Sequence, residues 1–193
     1  MKTVRFLSLT IFLCAALIPL ASRWLSAQDP PARAPDGQAE AEALYRLAEF
    51  VEWPSERDAN GRTTFNFCVL GRDPFGGLLD DVVLGHPIGE KPSVIVRGSQ
   101  FEDVGRCNVL FISSSEDKRL PRILRRVGDK NILTVSEATD FAGNGGVIQF
   151  LKDDNRIRFV INVDAAQRAG LRIRAQLLSL AKVVHNGEFA TKE

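Results

Sequence analysis

Histidine and cysteine are scarce in this chain, with two of the first and three of the second among 193 residues. His86 sits in a Gly-Pro turn and His185 near the C-terminus, and neither has a serine or cysteine nucleophile in a recognisable setting. Two histidines and one spare cysteine pair also give no zinc pattern, so neither metal nor cofactor is expected. An excess of charge of one sign is missing as well: 25 Lys and Arg against 24 Asp and Glu leave a formal charge of +1. Such a balance has no long-range field to gather nucleic acid or a strongly charged substrate. The carboxylate pairs Asp80-Asp81 and Asp153-Asp154 are sequence neighbours, which suits solvated helix and turn positions better than a glycosidase pair. A phosphate loop is absent too. Gly71 and Gly76 have its outer spacing, but Gly77 and Leu78 follow where Lys and Ser or Thr are required. Asp73 already occupies the electropositive end of the helix that would attract an anion. No catalytic set can be assembled, so the chain is read as a binding protein and not an enzyme.

What is present begins at the N-terminus. Lys2 and Arg5 precede an uncharged apolar run over residues 6–20, and small residues follow at Ala21-Ser22 and Ser26-Ala27. Positive, then apolar, then small is the layout of a secretory signal peptide, here residues 1–27 with cleavage after Ala27. Cleavage near Ala21 or Ser22, or an uncleaved anchor, is the alternative. The run is shorter than the roughly 20 residues a membrane-spanning helix needs, so no span is expected once the leader is removed. Export decides how the cysteines are read. Cys14 leaves with the leader, and Cys68 and Cys107 remain as a pair that an oxidising compartment favours as a bridge. Two separate buried thiols are the alternative. A bridge closing a loop of about 40 residues restricts the unfolded chain by roughly 4 kcal/mol on the entropic view.

Residues 28–37 are Pro-rich and polar and read as a flexible linker. From residue 38 to 51, Ala41, Leu44, Tyr45, Leu47, Ala48 and Val51 recur at helical spacing, and Trp53-Pro54 stops the helix. A polar loop with Asn60-Gly61 leads to a strand over residues 64–70, apolar enough to be covered on both faces. Asp73 and Pro74 open a helix running to about residue 84. Short strands are expected at 92–96, 108–112 and 132–135, with a helix over 113–127 and a helical turn at 137–141. Residues 146–151 and 157–162 are apolar runs across Asp153-Asp154 and predict a β-hairpin. A final helix is expected over 174–184. The sum is one three-layer α/β domain over residues 38–186. Its sheet is mixed but mostly parallel, with a C-terminal hairpin and helices on both faces, and residues 187–193 form a tail.

Two groups are candidates for binding a partner or ligand. Arg168, Arg172 and Arg174 lie before the last helix near Asn162 and Asp164, a setting for a small anion or an acidic loop. Phe50 and Trp53 are candidate docking aromatics. The plain reading of each is a solvated turn with local ion pairs, and a tryptophan closing the core where the first helix ends.

An ordered set of motifs resembles the YfiR family of periplasmic proteins. It comprises Phe50-Val51-Glu52-Trp53-Pro54, Phe67-Cys68-Val69-Leu70-Gly71 with Asp73-Pro74-Phe75-Gly76, and Cys107-Asn108-Val109-Leu110-Phe111-Ile112-Ser113. Leu133-Thr134-Val135-Ser136, Gly145-Gly146-Val147-Ile148-Gln149-Phe150, Arg158-Phe159-Val160-Ile161-Asn162 and Ala169-Gly170-Leu171-Arg172-Ile173 continue it, so that it covers nearly all of residues 41–181. The resemblance implies a periplasmic regulator that represses an inner-membrane diguanylate cyclase by direct binding, with cyclic di-GMP signalling as the output and a homodimer in some members. It also implies that Cys68 and Cys107 form one family bridge. A second bridge of some members, in the later half, has no counterpart here. A periplasmic small-ligand binding protein serving a transport or sensor system is the alternative function.

Overall fold

The computed structural model describes residues 35–54, 63–98, 103–153, 156–185 and 188–189. The leader, residues 28–34 of the linker, the loop at Asn60-Gly61, Asp154 and most of the tail lie outside the described residues. The compact unit begins at Ala34.

Helix α1 (Pro35–Glu49) starts within the stretch read as linker. Proline is at home in a first turn, where its missing N–H has no intrahelical partner to lose. Ala41, Leu44, Leu47 and Ala48 form the buried stripe. The helix ends two residues earlier than the periodicity predicts, because Val51 and Glu52 instead form strand β1. Strand β2 (Phe65–Leu70) alternates as a sheet must. Phe65, Phe67 and Val69 join one core cluster with α1, while Cys68 and Leu70 join a second on the opposite face. Both faces are covered, as its continuous apolar character predicts.

After α2 (Gly77–Val83) and β3 (Ser93–Arg97), a 3₁₀ turn at Asp103–Arg106 leads to β4 (Val109–Ile112). The helix predicted over 113–127 is split. Ser114–Arg119 is 3₁₀, and the α-helix proper, α3 (Leu120–Val127), starts where Pro121 suits a first turn. Strand β5 (Leu133–Ser136) follows. The helical turn expected at 137–141 is a plain turn instead, held by Phe141 N–H donating to the Ala138 carbonyl at 3.2 Å. Strands β6 (Ile148–Asp153) and β7 (Arg156–Asn162) pair antiparallel as the predicted hairpin.

The C-terminal part departs most from the sequence reading. A short helix α4 (Val163–Arg168), strand β8 (Arg172–Ile173) and helix α5 (Ala175–Ser179) precede strand β9 (Lys182–His185). The helix predicted over 174–184 is therefore only its first half. Val183 and Val184 are β-branched, stiff at χ1 and suited to a sheet. Leu180, counted into the helical stripe, is instead 76% exposed. Strand β10 (Glu188–Phe189) pairs with β9.

The large sheet has the order β10-β9-β7-β6-β5-β4-β2-β3 among the described residues. Five neighbouring pairs are parallel, and β6–β7 and β9–β10 are antiparallel. Helices α1, α2, α4 and α5 supply the core cluster on one face and α3 the cluster on the other, giving three layers. A separate two-stranded ribbon pairs β1 with β8, Val51 opposite Ile173 and Glu52 opposite Arg172.

Cys68 and Cys107 are disulfide-bonded, with Cα atoms 5.7 Å apart and a sequence separation of 39. The bridge joins the middle of β2 to the segment entering β4, its immediate neighbour, and is buried in the same cluster as Leu120, Ile123 and Val127 of α3. This settles the choice between a bridge and two separate thiols.

Candidate functional site

Open α/β sheets bind ligands at the carboxyl ends of their strands, where the strand order reverses. Here that point lies between β2 and β4, because β3 is on one side of β2 and β4 on the other. The crevice is filled by the chain itself. Gly71 leaves β2 at φ +90°, and a Cβ there would stand 2.5 Å from Ser115 Oγ and 2.8 Å from Glu116 Cγ. The Arg72 N–H donates to Ser115 Oγ at 2.9 Å. Asp73 Oδ1 accepts from the Phe75 and Gly76 N–H groups, and its other oxygen holds Arg97 Nε at 2.6 Å. Hydrogen bonding to Asp80, and then to Asp73, raises the Arg97 guanidinium pKa further despite opposing desolvation. The anion position at the head of this turn is thus taken by a carboxylate, which agrees with the missing phosphate-loop residues.

The neighbouring carboxyl ends are closed as well. Ser114 Oγ donates to Glu137 at 3.2 Å. Lys152 on β6 reaches buried Glu40 of α1 at 2.9 Å and Glu137 at 3.7 Å.

The amino ends of the strands are different. Beside the β1–β8 ribbon lies a groove of about 680 Å³, lined by Glu52, Trp53, Phe65, the turn 87–91, Asn108 and Arg174. Each wall is fixed by its own chemistry. Trp53 stands edge-on against Phe65, ring centroids 5.0 Å apart and planes at 87°, a favoured aromatic geometry. Its Nε1–H is buried and has no acceptor among the described residues. Asn108 Oδ1 accepts the Asn66 N–H at 3.1 Å, and Asn66 Nδ2 donates to the Arg106 carbonyl at 2.9 Å, which pins the floor. Tyr45 Oη donates to the Pro87 carbonyl at 3.3 Å, tying the wall turn to α1. At the mouth, Arg174 Nε meets Glu52 Oε1 at 3.3 Å across the ribbon. Both partners are about half exposed, so the pair contributes little to stability and can be rearranged by a ligand.

The residues singled out from the sequence fall in five places. Trp53 lines the groove. Phe50 packs against the core beneath the ribbon, and its carbonyl accepts the Arg174 N–H at 3.0 Å. Arg172 is exposed on β8 opposite Glu52 and borders a second depression of about 430 Å³ with Gln167 and Leu178. Asn162 is interior. Its Oδ1 caps α4 by accepting the Ala165 N–H at 2.8 Å, and its Nδ2 donates to the Ala142 carbonyl at 2.7 Å. Arg168 is exposed at the last turn of α4 and lines neither depression. Arg174, also named from the sequence, lines the groove, and Glu52 and Asn108 complete it. Glu52 meets Arg174 only through a ribbon that pairs residues more than 100 positions apart, which leaves no local pattern to read. Among the described residues no group of His, Cys, Asp and Glu is arranged to hold a metal ion, and no helix is long and apolar enough to cross a membrane.

This architecture is similar to that in a crystal structure of a conserved domain protein from Vibrio cholerae O1 biovar El Tor strain N16961. The two share 13% identity with a TM-score of 0.47, over 68% of this chain and 60% of that one. The chain thus spans about 60% of that protein's length. In sequence, residues 37–182, and with them both half-cystines, the ribbon and every wall of the groove, match the YfiR/HmsC-like family, and the chain belongs to that family.

Proposed function

We propose that this protein represses a membrane-bound signalling protein of the diguanylate cyclase type by direct binding from the periplasm, and that the groove beside the β1–β8 ribbon is where it docks. Membership of the YfiR/HmsC-like family supports a periplasmic regulatory role in general, and that family comprises regulators more than enzymes. The observation that carries the docking reading is the contrast between the two ends of the sheet. The carboxyl ends are closed by the chain's own hydrogen bonds, whereas the amino ends hold an open groove with an aromatic wall and charges of both signs at the rim. A buried aromatic anchor inside a polar rim is the usual anatomy of a protein interface.

Co-purification from envelope membranes of the native host tests it. The wild-type chain is expected to recover a membrane receptor or cyclase, and Trp53→Ala with Arg174→Glu to lose it while the disulfide-bonded fold persists. Recovery of no such protein, or equal recovery by the double variant, would overturn the proposal.

The buried, unpaired Trp53 N–H also favours a second reading, a small-ligand binding protein. A volume of about 680 Å³ lies within the range of roughly 300–1,000 Å³ typical of ligand pockets. A thermal-shift screen of envelope metabolites distinguishes the readings, since a true ligand at a hundredfold excess over Kd stabilises by about 2.7 kcal/mol.

A further inference from the structure

The α3 helix has an unusual division of labour between its faces. Leu120, Ile123, Leu124 and Val127 are buried against the disulfide-bearing side of the sheet. The four remaining positions are Pro121, Arg122, Arg125 and Arg126, all exposed, and the helix contains no acidic residue. Lys118 and Arg119 precede it and Lys130 follows, all exposed too. Six cations therefore stand within residues 118–130, against Asp129 inside that span and Glu116 and Asp117 just ahead of it. In a chain whose total formal charge is +1, this concentrates positive charge on one ridge.

Helix stability accounts for only part of the ridge. Arg125 and Arg126 in the last turn complement the negative end of the helix dipole. Arg122 in the first turn, and Lys118 and Arg119 ahead of it, stand at the positive end, where cations are disfavoured. Glu116 pairs with Arg119 at 3.0 Å, and Arg122 has a partner of its own. Among the described residues the ridge also lacks an apolar anchor, since the exposed large apolar side chains Leu84, Val96, Leu151 and Leu180 all lie on other elements. Protein interfaces draw most of their energy from desolvated aromatic and apolar anchors. A row of exposed guanidinium groups without one suits a plane of phosphates, which arginine grips through paired N–H donors.

We propose that the exposed face of α3 binds peripherally to an anionic phospholipid surface through headgroup phosphates. This surface is separate from the groove, because α3 and α1 pack on opposite faces of the sheet. It does not depend on which protein the groove receives. Each cation near such a membrane raises affinity by about fivefold, and the attraction fades beyond a Debye length of about 10 Å at 0.1 M salt.

Vesicle flotation tests the proposal on residues 28–193, which keep the whole compact unit but omit the apolar run at 6–20 that would bind lipid by itself. The chain is expected to float with phosphatidylglycerol-containing vesicles and not with pure phosphatidylcholine, and to be released when salt is raised to about 0.5 M. Arg122→Gln, Arg125→Gln and Arg126→Gln together are expected to weaken binding roughly a hundredfold. The corresponding triple Lys variant, which keeps the charge, is expected to retain most of it, which separates lost charge from a damaged fold. Trp53→Ala is expected to bind vesicles normally. Equal flotation with both vesicle types, none with either, or full binding by the Gln variant would overturn the proposal. Capture by an immobilised polyglutamate peptide but not by vesicles would overturn it in favour of an acidic protein surface.

Discussion

At the scale of single residues, side chains that look like ligands in the sequence divide into those the fold consumes and those it leaves available. Asn162 is consumed, with both ends of its amide committed to Ala165 and Ala142. Asn162→Ala is expected to lower stability by about 2–4 kcal/mol, the sum of a lost helix cap and a stranded buried carbonyl, measurable by urea denaturation. Asn162→Asp restores the cap but sets a second acceptor against the Ala142 carbonyl, so it should recover little. Trp53 is left available. Trp53→Phe keeps the edge contact with Phe65 and removes an unpaired buried N–H, so the melting temperature should hold or rise even where partner binding falls. Tyr45 gives a pH signature. Desolvation raises its phenol above the ordinary value, Glu49 adds to the rise and Arg46 opposes it. The folded state then holds that proton more tightly than the unfolded one. Its contribution to stability is complete below the ordinary phenol pKa and is lost as pH rises through the higher folded value. Tyr45→Phe should flatten that alkaline decline in urea midpoints.

At the scale of elements, the disulfide dominates. A closure spanning 39 positions is expected to contribute roughly 4 kcal/mol, so Cys68→Ala should lower stability by about 2–5 kcal/mol. Equal melting temperatures with and without reductant would contradict this. The central strands were legible because their apolar runs are continuous, a property that survives whatever packs around them. Residues 65–70, 109–112 and the 148–162 hairpin are of this kind. The last quarter was not. Leu177, Leu178, Leu180 and Ala181 satisfy a helical stripe, yet the chain straightens after Ser179 because β7 offers Val183 and Val184 a parallel neighbour. That partner is a tertiary fact, absent from any local window. The ribbon was hidden for the same reason, since Val51 and Glu52 look like the end of a helix until Ile173 and Arg172 lie opposite them. Trp53 and Arg174 are therefore legible only as separate residues, while Glu52 and Asn108, which complete the groove with them, are not.

At the scale of the whole molecule, two working surfaces are proposed on one domain, a mixed groove beside the ribbon and a basic ridge across the sheet from α1. They separate experimentally. Trp53→Ala should abolish partner recovery and spare vesicle flotation, while neutralising the α3 arginines should do the reverse; co-purification and flotation on the same two preparations check it. Both surfaces rest on a sheet whose middle is covalently joined, and the position of that joint along the chain matters. Both sulfur atoms belong to the first 107 residues, whereas the hairpin, the ribbon's second strand and β9 all come later. A polypeptide is delivered from its N-terminus, so oxidation can fasten β2 beside the entrance to β4 while the remainder is still arriving. The later strands then add to a template already held in place, and less chain entropy is lost in closing the long-range contacts that otherwise make parallel sheets slow to assemble.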